Sequence, residues 1–259
     1  MLILFKRGQS AMDEMIVVED VCKTYVLFDN DWKILQWVFT HKGYQSKREV
    51  LQHISFTVKN GEVVGLIGVN GAGKSTLMKM IAGITFPTAG HVQVNGKIGS
   101  LINLSAGFNP DYTGRRNIYY KGTIMGMSKS SIDNVIHDIE EFVDLGEYFD
   151  KPVRMYSSGM SARLGFALAV YCNPDILIVD EVLAVGDKSF QNKSRAKITE
   201  LFNAGKAVIF SSHSDTLIQQ FCNRVIYIRD GRIAYDGEVA GGLELYNEDI
   251  SRKRNKKTH

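Results

Sequence analysis

Gly68-Val69-Asn70-Gly71-Ala72-Gly73-Lys74-Ser75 is the stretch whose reading decides the fold. It fits the pattern G-x-x-x-x-G-K-[ST], and Thr76 extends it. The apolar run Glu62-Val63-Val64-Gly65-Leu66-Ile67 leads in, and the helix-like run Thr76-Leu77-Met78-Lys79-Met80-Ile81 leads out. Strand, glycine-rich loop and helix in that order make a phosphate-binding loop. The glycines let backbone N–H groups close around phosphates, the lysine reaches the outer phosphates and the Ser75 hydroxyl is suited to Mg²⁺. The expected ligands are therefore ATP and Mg²⁺, held by Gly68, Asn70, Gly71, Gly73, Lys74, Ser75 and Thr76.

Working outward, such a loop needs an acidic partner for the metal. Asp180 closes the buried-strand pattern Ile176-Leu177-Ile178-Val179, so it sits at the carboxyl end of a strand, where α/β sheets place ligands. Glu181 follows directly. The two carboxylates divide the work: Asp180 for the Mg²⁺ shell, Glu181 for orienting or deprotonating water. His213 ends a second apolar run, Val208-Ile209-Phe210-Ser211-Ser212, from which it can reach a γ-phosphate. Tyr156-Ser157-Ser158-Gly159-Met160 precedes a helix expected from about Ser161. Serine, backbone N–H groups and a helix N-terminus form an anion site. A second anion site in one chain suggests the nucleotide of another subunit, although Ser-Ser-Gly also suits an ordinary helix cap.

The 259 residues suffice for one large domain or two small ones, and 44% hydrophobic residues with four prolines describe an ordinary globular chain. No apolar run reaches the ~18–20 residues of a membrane span. Leu2-Ile3-Leu4-Phe5 is too short for a signal peptide, so the cytosol is the expected compartment. Cys22, Cys172 and Cys222 show no metal spacing and read as free thiols. Net charge is +3, but Ser251–His259 alone carries five bases and no acid. Without them the body is slightly acidic, which argues against nucleic acid as a partner. The tail reads either as a solvated end or as a contact for anionic lipid or nucleic acid.

Three turn dipeptides, Asn60-Gly61, Asn95-Gly96 and Asp230-Gly231, stand between short apolar runs and read as hairpins. Pro174–Asp180 and Ala207–Phe210 read as buried strands of a parallel sheet. Ile132, Val135, Ile136, Ile139, Phe142 and Val143 fall at helical spacing. The expected layout is an extension over 1–14, a nucleotide-binding domain over 15–242 with a helical insert at about 110–170, and a basic tail over 243–259. Residues 26–49 hold Phe28, Trp32, Trp37, Phe39 and Tyr44, including both tryptophans of the protein. This aromatic insert reads either as a loop packed on the domain or as an exposed element meeting a partner or lipid.

Taken in order, Tyr25, the phosphate loop, Tyr156–Met160, Asp180-Glu181, Val185-Gly186-Asp187 and His213 resemble the nucleotide-binding subunit of ABC transporters over roughly residues 15–240. The resemblance implies an α/β fold with a mainly parallel sheet, an antiparallel β subdomain and a helical insert. It also implies that Tyr25 stacks on adenine and that Ser157, Ser158 and Gly159 face the γ-phosphate bound by the opposite subunit of a homodimer. Asp187 would lie in the dimer-contact loop. Two departures mark the branch. The usual Leu-Ser-Gly-Gly-Gln is Tyr-Ser-Ser-Gly-Met here, and the glutamine expected before the helical insert is missing, with Asn103, Leu104 and Ser105 in its place. Ala106–Asn117, Tyr156–Leu164 and Asp180–Asp187 resemble the branch that exports bacterial polysaccharides: teichoic acids, capsules and O-antigens. That branch implies two copies of a separate membrane permease, a peripheral position on the cytoplasmic face of the bacterial cell membrane, and Trp32 and Trp37 as candidates for permease or substrate contact. O-antigen exporters often add a carboxyl-terminal glycan-binding domain, for which this chain is too short, so teichoic acid is the first expected cargo.

Rival readings are a soluble ABC ATPase acting on ribosomes or DNA, a GTPase, and a non-catalytic ATP-binding scaffold. Asp111-Tyr112-Thr113-Gly114 fits the GTPase pattern D-x-x-G, but no Asn-Lys-x-Asp accompanies it. The paired Asp180-Glu181 with His213 argues for catalysis.

Overall fold

The computed structural model describes residues 13–27, 46–180 and 186–257. Two sheets share a core. A three-stranded antiparallel sheet is built from β1 (Glu14–Leu27), β2 (Ser46–Lys59) and β4 (Ala89–Val94), in the order β2-β1-β4. A six-stranded sheet has the order β5-β6-β7-β3-β8-β9. Its strands are β3 (Val63–Ile67), β5 (Ile98–Ser100), β6 (Ile176–Val179), β7 (Ala207–Phe210), β8 (Arg224–Arg229) and β9 (Arg232–Gly237). Every pairing in this sheet is parallel except β8 with β9. Strands β3, β6 and β7 are buried along their whole length, as expected of a sheet covered on both faces.

Alternation along the strands divides the core. Val64, Leu66, Ile178 and Ile209 face the small sheet and α1 (Lys74–Ile81), while Val63, Ile67, Val179 and Phe210 face the helices behind. Those helices are α4 (Ser158–Tyr171), α5 (Lys188–Asn203), α6 (Asp215–Phe221) and α7 (Val239–Lys257). A third cluster unites α2 (Gly114–Ile124), α3 (Lys129–Val143) and α4 around Ile118, Ile132, Ile139, Val143 and Leu164. Phe142 joins the two helical clusters, its ring 5.9 Å from Phe166 and 5.3 Å from Phe190. Oxygen-bearing caps set several helix starts: Thr113 for α2, Ser128 for α3, Ser157 for α4, Asp187 for α5 and Ser214 for α6. The helix expected from about Ser161 therefore begins at Ser158.

Of the three turn dipeptides, only Asp230-Gly231 joins paired strands, β8 and β9. Asn60-Gly61 and Asn95-Gly96 instead carry the chain from the small sheet to the large one. Glycine takes a positive φ in all three, but Asp230 is also left-handed whereas Asn60 and Asn95 are not, and the strands after those two find partners distant in sequence. At the base of the aromatic insert, Val26 pairs with Lys47 and Leu27 with Ser46, so the ladder runs further than expected. The remainder, including Trp32 and Trp37, lies outside the described residues. The other revision is at the C-terminus. Helix α7 runs straight across position 243, with Leu243 and Tyr246 buried and Asp249 accepting hydrogen bonds from Tyr227 Oη (2.9 Å) and Arg229 Nη1 (2.7 Å). Cys22, Cys172 and Cys222 are free thiols. Burial pushes Cys172 up to about 11 and Cys222 up to about 12, which leaves both poor nucleophiles at neutral pH.

Candidate functional site

The phosphate loop leaves β3 at the centre of the large sheet and enters α1. Its last glycine, Gly73, holds φ at +107°, and a Cβ there would meet Leu51 Cδ2 at 2.5 Å and the Val50 carbonyl at 2.9 Å. Neither the backbone angle nor the space admits a side chain, so β2 is pressed against the loop. Lys74 is buried, and its ammonium donates to the carbonyls of Gly68 (2.5 Å) and Val69 (3.3 Å). It is thus held against the loop it serves.

The loop forms the floor of a cleft of about 460 Å³. Asn70, Gly71, Gly73, Lys74, Ser75 and Thr76 line it from below, with Asp180 from the end of β6 and Ser211 and His213 from the end of β7. Tyr25 and Arg48, opposite one another in the β1–β2 ladder, form the remaining wall with Val50. The loop, Asp180 and His213 thus meet at the carboxyl ends of β3, β6 and β7, and the small sheet brings Tyr25 and Arg48 to them. Ser75 Oγ donates to Asp180 Oδ2 at 3.5 Å. A hydroxyl and a carboxylate so placed are hard oxygen donors suited to Mg²⁺, which is normally held by one or two side chains plus substrate phosphates. No cluster of three His, Cys, Asp or Glu side chains that could hold a metal occurs among the described residues. Glu181 lies outside the described residues.

Ser157 and Gly159 are not in this cleft. They line a second, shallower one of about 290 Å³ with Asp144, Leu145, Tyr148, Met160, Arg163 and Gly186. Ser157 caps α4 by accepting from Met160 N at 3.2 Å. Ser158 opens the helix. Asp187, beside Gly186, accepts from Phe190 N (2.9 Å) and from Arg163 Nη2 (2.7 Å). The Phe190 amide, then the Arg163 guanidinium, hold its carboxyl below the usual range. Where the family glutamine was expected, Asn103 takes a left-handed φ of +52°, and Lys121 Nζ donates to the Ala106 carbonyl at 2.8 Å. Sequence reasoning missed Arg48 and Ser211 as cleft residues. Arg48 carries no local signal, because only its pairing with Tyr25 brings it to the loop.

A family model described as "ABC transporter" matches residues 51–184, just over half of the chain. The chain belongs to the ABC transporter family. Relatives agree on the branch. The teichoic acids export ATP-binding protein TagH of Bacillus anthracis is 39% identical over 241 residues, which cover 93% of this chain but 44% of the relative. The O-antigen export system ATP-binding protein RfbB of Myxococcus xanthus is 39% identical, with 92% of this chain and 56% of the relative covered. An RfbB of Klebsiella pneumoniae is 40% identical over 246 residues, covering 93% of this chain and 100% of the relative. The chain thus spans about half the length of the first two and all of the third. Solved ABC cassettes show the same fold. One ATP-binding subunit of an ABC transporter superposes with a TM-score of 0.71 at 19% identity, covering 92% of this chain and 99% of that one. A cassette solved as a dimer in a post-hydrolysis state with ADP and Pi gives 0.67 at 21% identity, covering 87% and 99%. The residues expected to meet phosphate are thus split between two clefts that share no lining residue.

Proposed function

We propose that this chain is the ATP-hydrolysing subunit of an exporter of lipid-linked cell-envelope polysaccharide, acting as a homodimer beneath two copies of a separate permease. The observation that carries the reading is the split between the clefts, together with the character of Gly159. That glycine has no left-handed φ, and an added Cβ would meet only Ser157 Oγ at an ordinary 3.8 Å. Nothing among the described residues asks for glycine there, and glycine in a helix costs up to about 1 kcal/mol relative to alanine. A demand from outside the chain, the phosphate bound by a second copy, accounts for it.

In this reading Lys74 and the loop amides hold and neutralise the phosphates, Tyr25 receives the base, and His213 meets the γ-phosphate. Glu181 orients the water and takes its proton. Ser75 and Asp180 hold Mg²⁺, which supplies charge neutralisation across the phosphates when bound. Ser157, Ser158 and Gly159 close on the partner's nucleotide, while Asp187, whose carboxylate already caps α5, stands at the rim as a contact between copies. Catalysis is largely positioning and charge stabilisation.

An exposed apolar face supports a permease partner. Ile84 is 50% exposed, Phe86 78% and Ile124 67%, beside a cleft lined by Ile84, Ile102, Met125 and Leu168. No helix among the described residues is long and apolar enough to cross a membrane. This fits peripheral attachment at the cytoplasmic face. Wall teichoic acid is the first cargo to test, with O-antigen and capsule as alternatives. Chain length does not separate them, since an O-antigen relative is matched from end to end. The experiment is to purify the chain with its co-expressed permease in lipid and measure hydrolysis with each lipid-linked glycan. A stable complex whose turnover rises with one glycan is expected. No complex, with turnover indifferent to lipid and glycan but raised by ribosomes or DNA, would sink the exporter reading.

A further inference from the structure

Arg48 is an exposed residue on β2 for which no hydrogen bond or ion pair occurs among the described residues. An exposed arginine without a partner is ordinary. This one lines the nucleotide cleft, and its Nη2 comes within 3.9 Å of where a Cβ on Gly71 would stand. Its head therefore rests against the crest of the phosphate loop. The loop's own cation, Lys74, is buried and bonded to loop carbonyls, whereas Arg48 is exposed and lines the cleft. A guanidinium is a planar fork matched to two oxygens of a phosphate, and it cannot lose its charge.

We propose that Arg48 is a phosphate-binding residue, taking oxygens of the nucleotide's phosphate chain from the β2 side while the loop amides and Lys74 take the others. This rests on the reading of the cleft as an ATP site. The register gives the proposal its form. Tyr25 and Arg48 are directly opposed on the ladder, so their side chains leave the sheet together, about 5 Å apart at Cβ. One rung then holds the base through a ring and the phosphates through a fork. Arg48 fixes the distance between the two ends of the nucleotide.

The test compares Arg48→Ala and Arg48→Lys in equilibrium binding of ATP and ADP to the purified chain and in steady-state hydrolysis. Arg48→Ala weakens both nucleotides about tenfold, the scale of one charge-assisted hydrogen bond, and raises KM alike while kcat stays within about twofold. Arg48→Lys keeps the charge but not the fork and recovers less than half of the loss. The melting temperature without nucleotide stays at the wild-type value, because no bond among the described residues is removed. ATP and ADP binding within twofold of wild type in Arg48→Ala, with Lys74→Ala binding neither, would overturn the role of Arg48 and leave the ATP site standing. A wild-type chain that binds neither nucleotide would overturn both. A melting temperature that falls together with kcat would reassign Arg48 to the fold.

Discussion

Gly159→Ala separates the demands of the single chain from those of the dimer, because the two act in opposite directions. Within the chain the substitution is favourable. Gly159 is the second residue of α4, its φ lies outside the left-handed region, and among the described residues the new methyl meets nothing closer than 3.8 Å. Replacing glycine by alanine at such a position stabilises by about 0.5–1 kcal/mol, through helix propensity and a less free unfolded chain. For a domain of this size that raises the melting temperature by about 1–4 °C. Toward a partner's nucleotide the same methyl is an obstruction. It holds the phosphate away from the α4 amides by roughly the width of a carbon, and misplacement of about 1 Å costs on the order of 10²-fold in turnover. Calorimetry of the isolated chain and steady-state hydrolysis at saturating ATP read the two effects separately. A protein that is more stable and much slower is the expected result. One that is more stable and fully active would refute the idea that the surface around Gly159 meets nucleotide, and a less stable one would refute the reading of its intrachain environment.

Three further outcomes follow from the same geometry. Lys74→Ala and Gly159→Asp each inactivate every site of their own homodimer, but an equimolar mixture contains about one-half mixed dimers with one intact site each, so about a quarter of wild-type turnover returns if sites act independently; activity no higher than that of the separate variants would argue against sites shared between copies. Glu181→Gln keeps ATP binding and loses ~10²–10⁴-fold in turnover, the usual contribution of a general base, and near-normal hydrolysis would remove Glu181 from that role. Arg229, then the Tyr227 hydroxyl, hold the Asp249 carboxyl below the usual range, so its ionised form stabilises the docked α7. Because the folded pKa is depressed, that contribution is complete above the unfolded value of about 3.9 and is lost as pH falls toward the folded one; urea titrations should therefore show a constant gap between wild type and Asp249→Asn above about pH 5 that closes in acid, and a gap that persists unchanged into acid would contradict the assignment.

The parts of the site that are legible in the sequence are those whose chemistry is written in consecutive residues. The phosphate loop, Asp180 at the end of a wholly apolar strand and His213 at the end of another each carry their own context. Arg48 does not, since its place depends on which residue of β1 it opposes. The same limit explains the turns: Asn60-Gly61 and Asp230-Gly231 look alike locally, yet only the second has paired strands on both sides. At the C-terminus the charges of 248–257 draw attention from Leu243, Tyr246 and Ile250, whose spacing marks the buried stripe of α7. The second cleft is announced locally by Tyr156–Met160, but the approach of Asp187 to it, through its bond from Arg163, appears only in the fold.

The central place of β3 also bears on how the chain is made. Its neighbours in the sheet are β7, where Val63 pairs with Val208, and β8, where Val64 pairs with Arg224. Both are translated long after the phosphate loop has left the ribosome. At about 5–20 residues per second, β3 waits on the order of 10 s for the first of them. During that interval an apolar segment, Val63–Ile67, has neither of the strands that bury it. Nascent chains that stop short of β8 should fail to retain nucleotide although they carry the entire loop, and they should be the species that trigger factors and other holdases capture. The most recognisable motif in the chain thus leads out of a strand whose two sheet neighbours are among the later ones to be made.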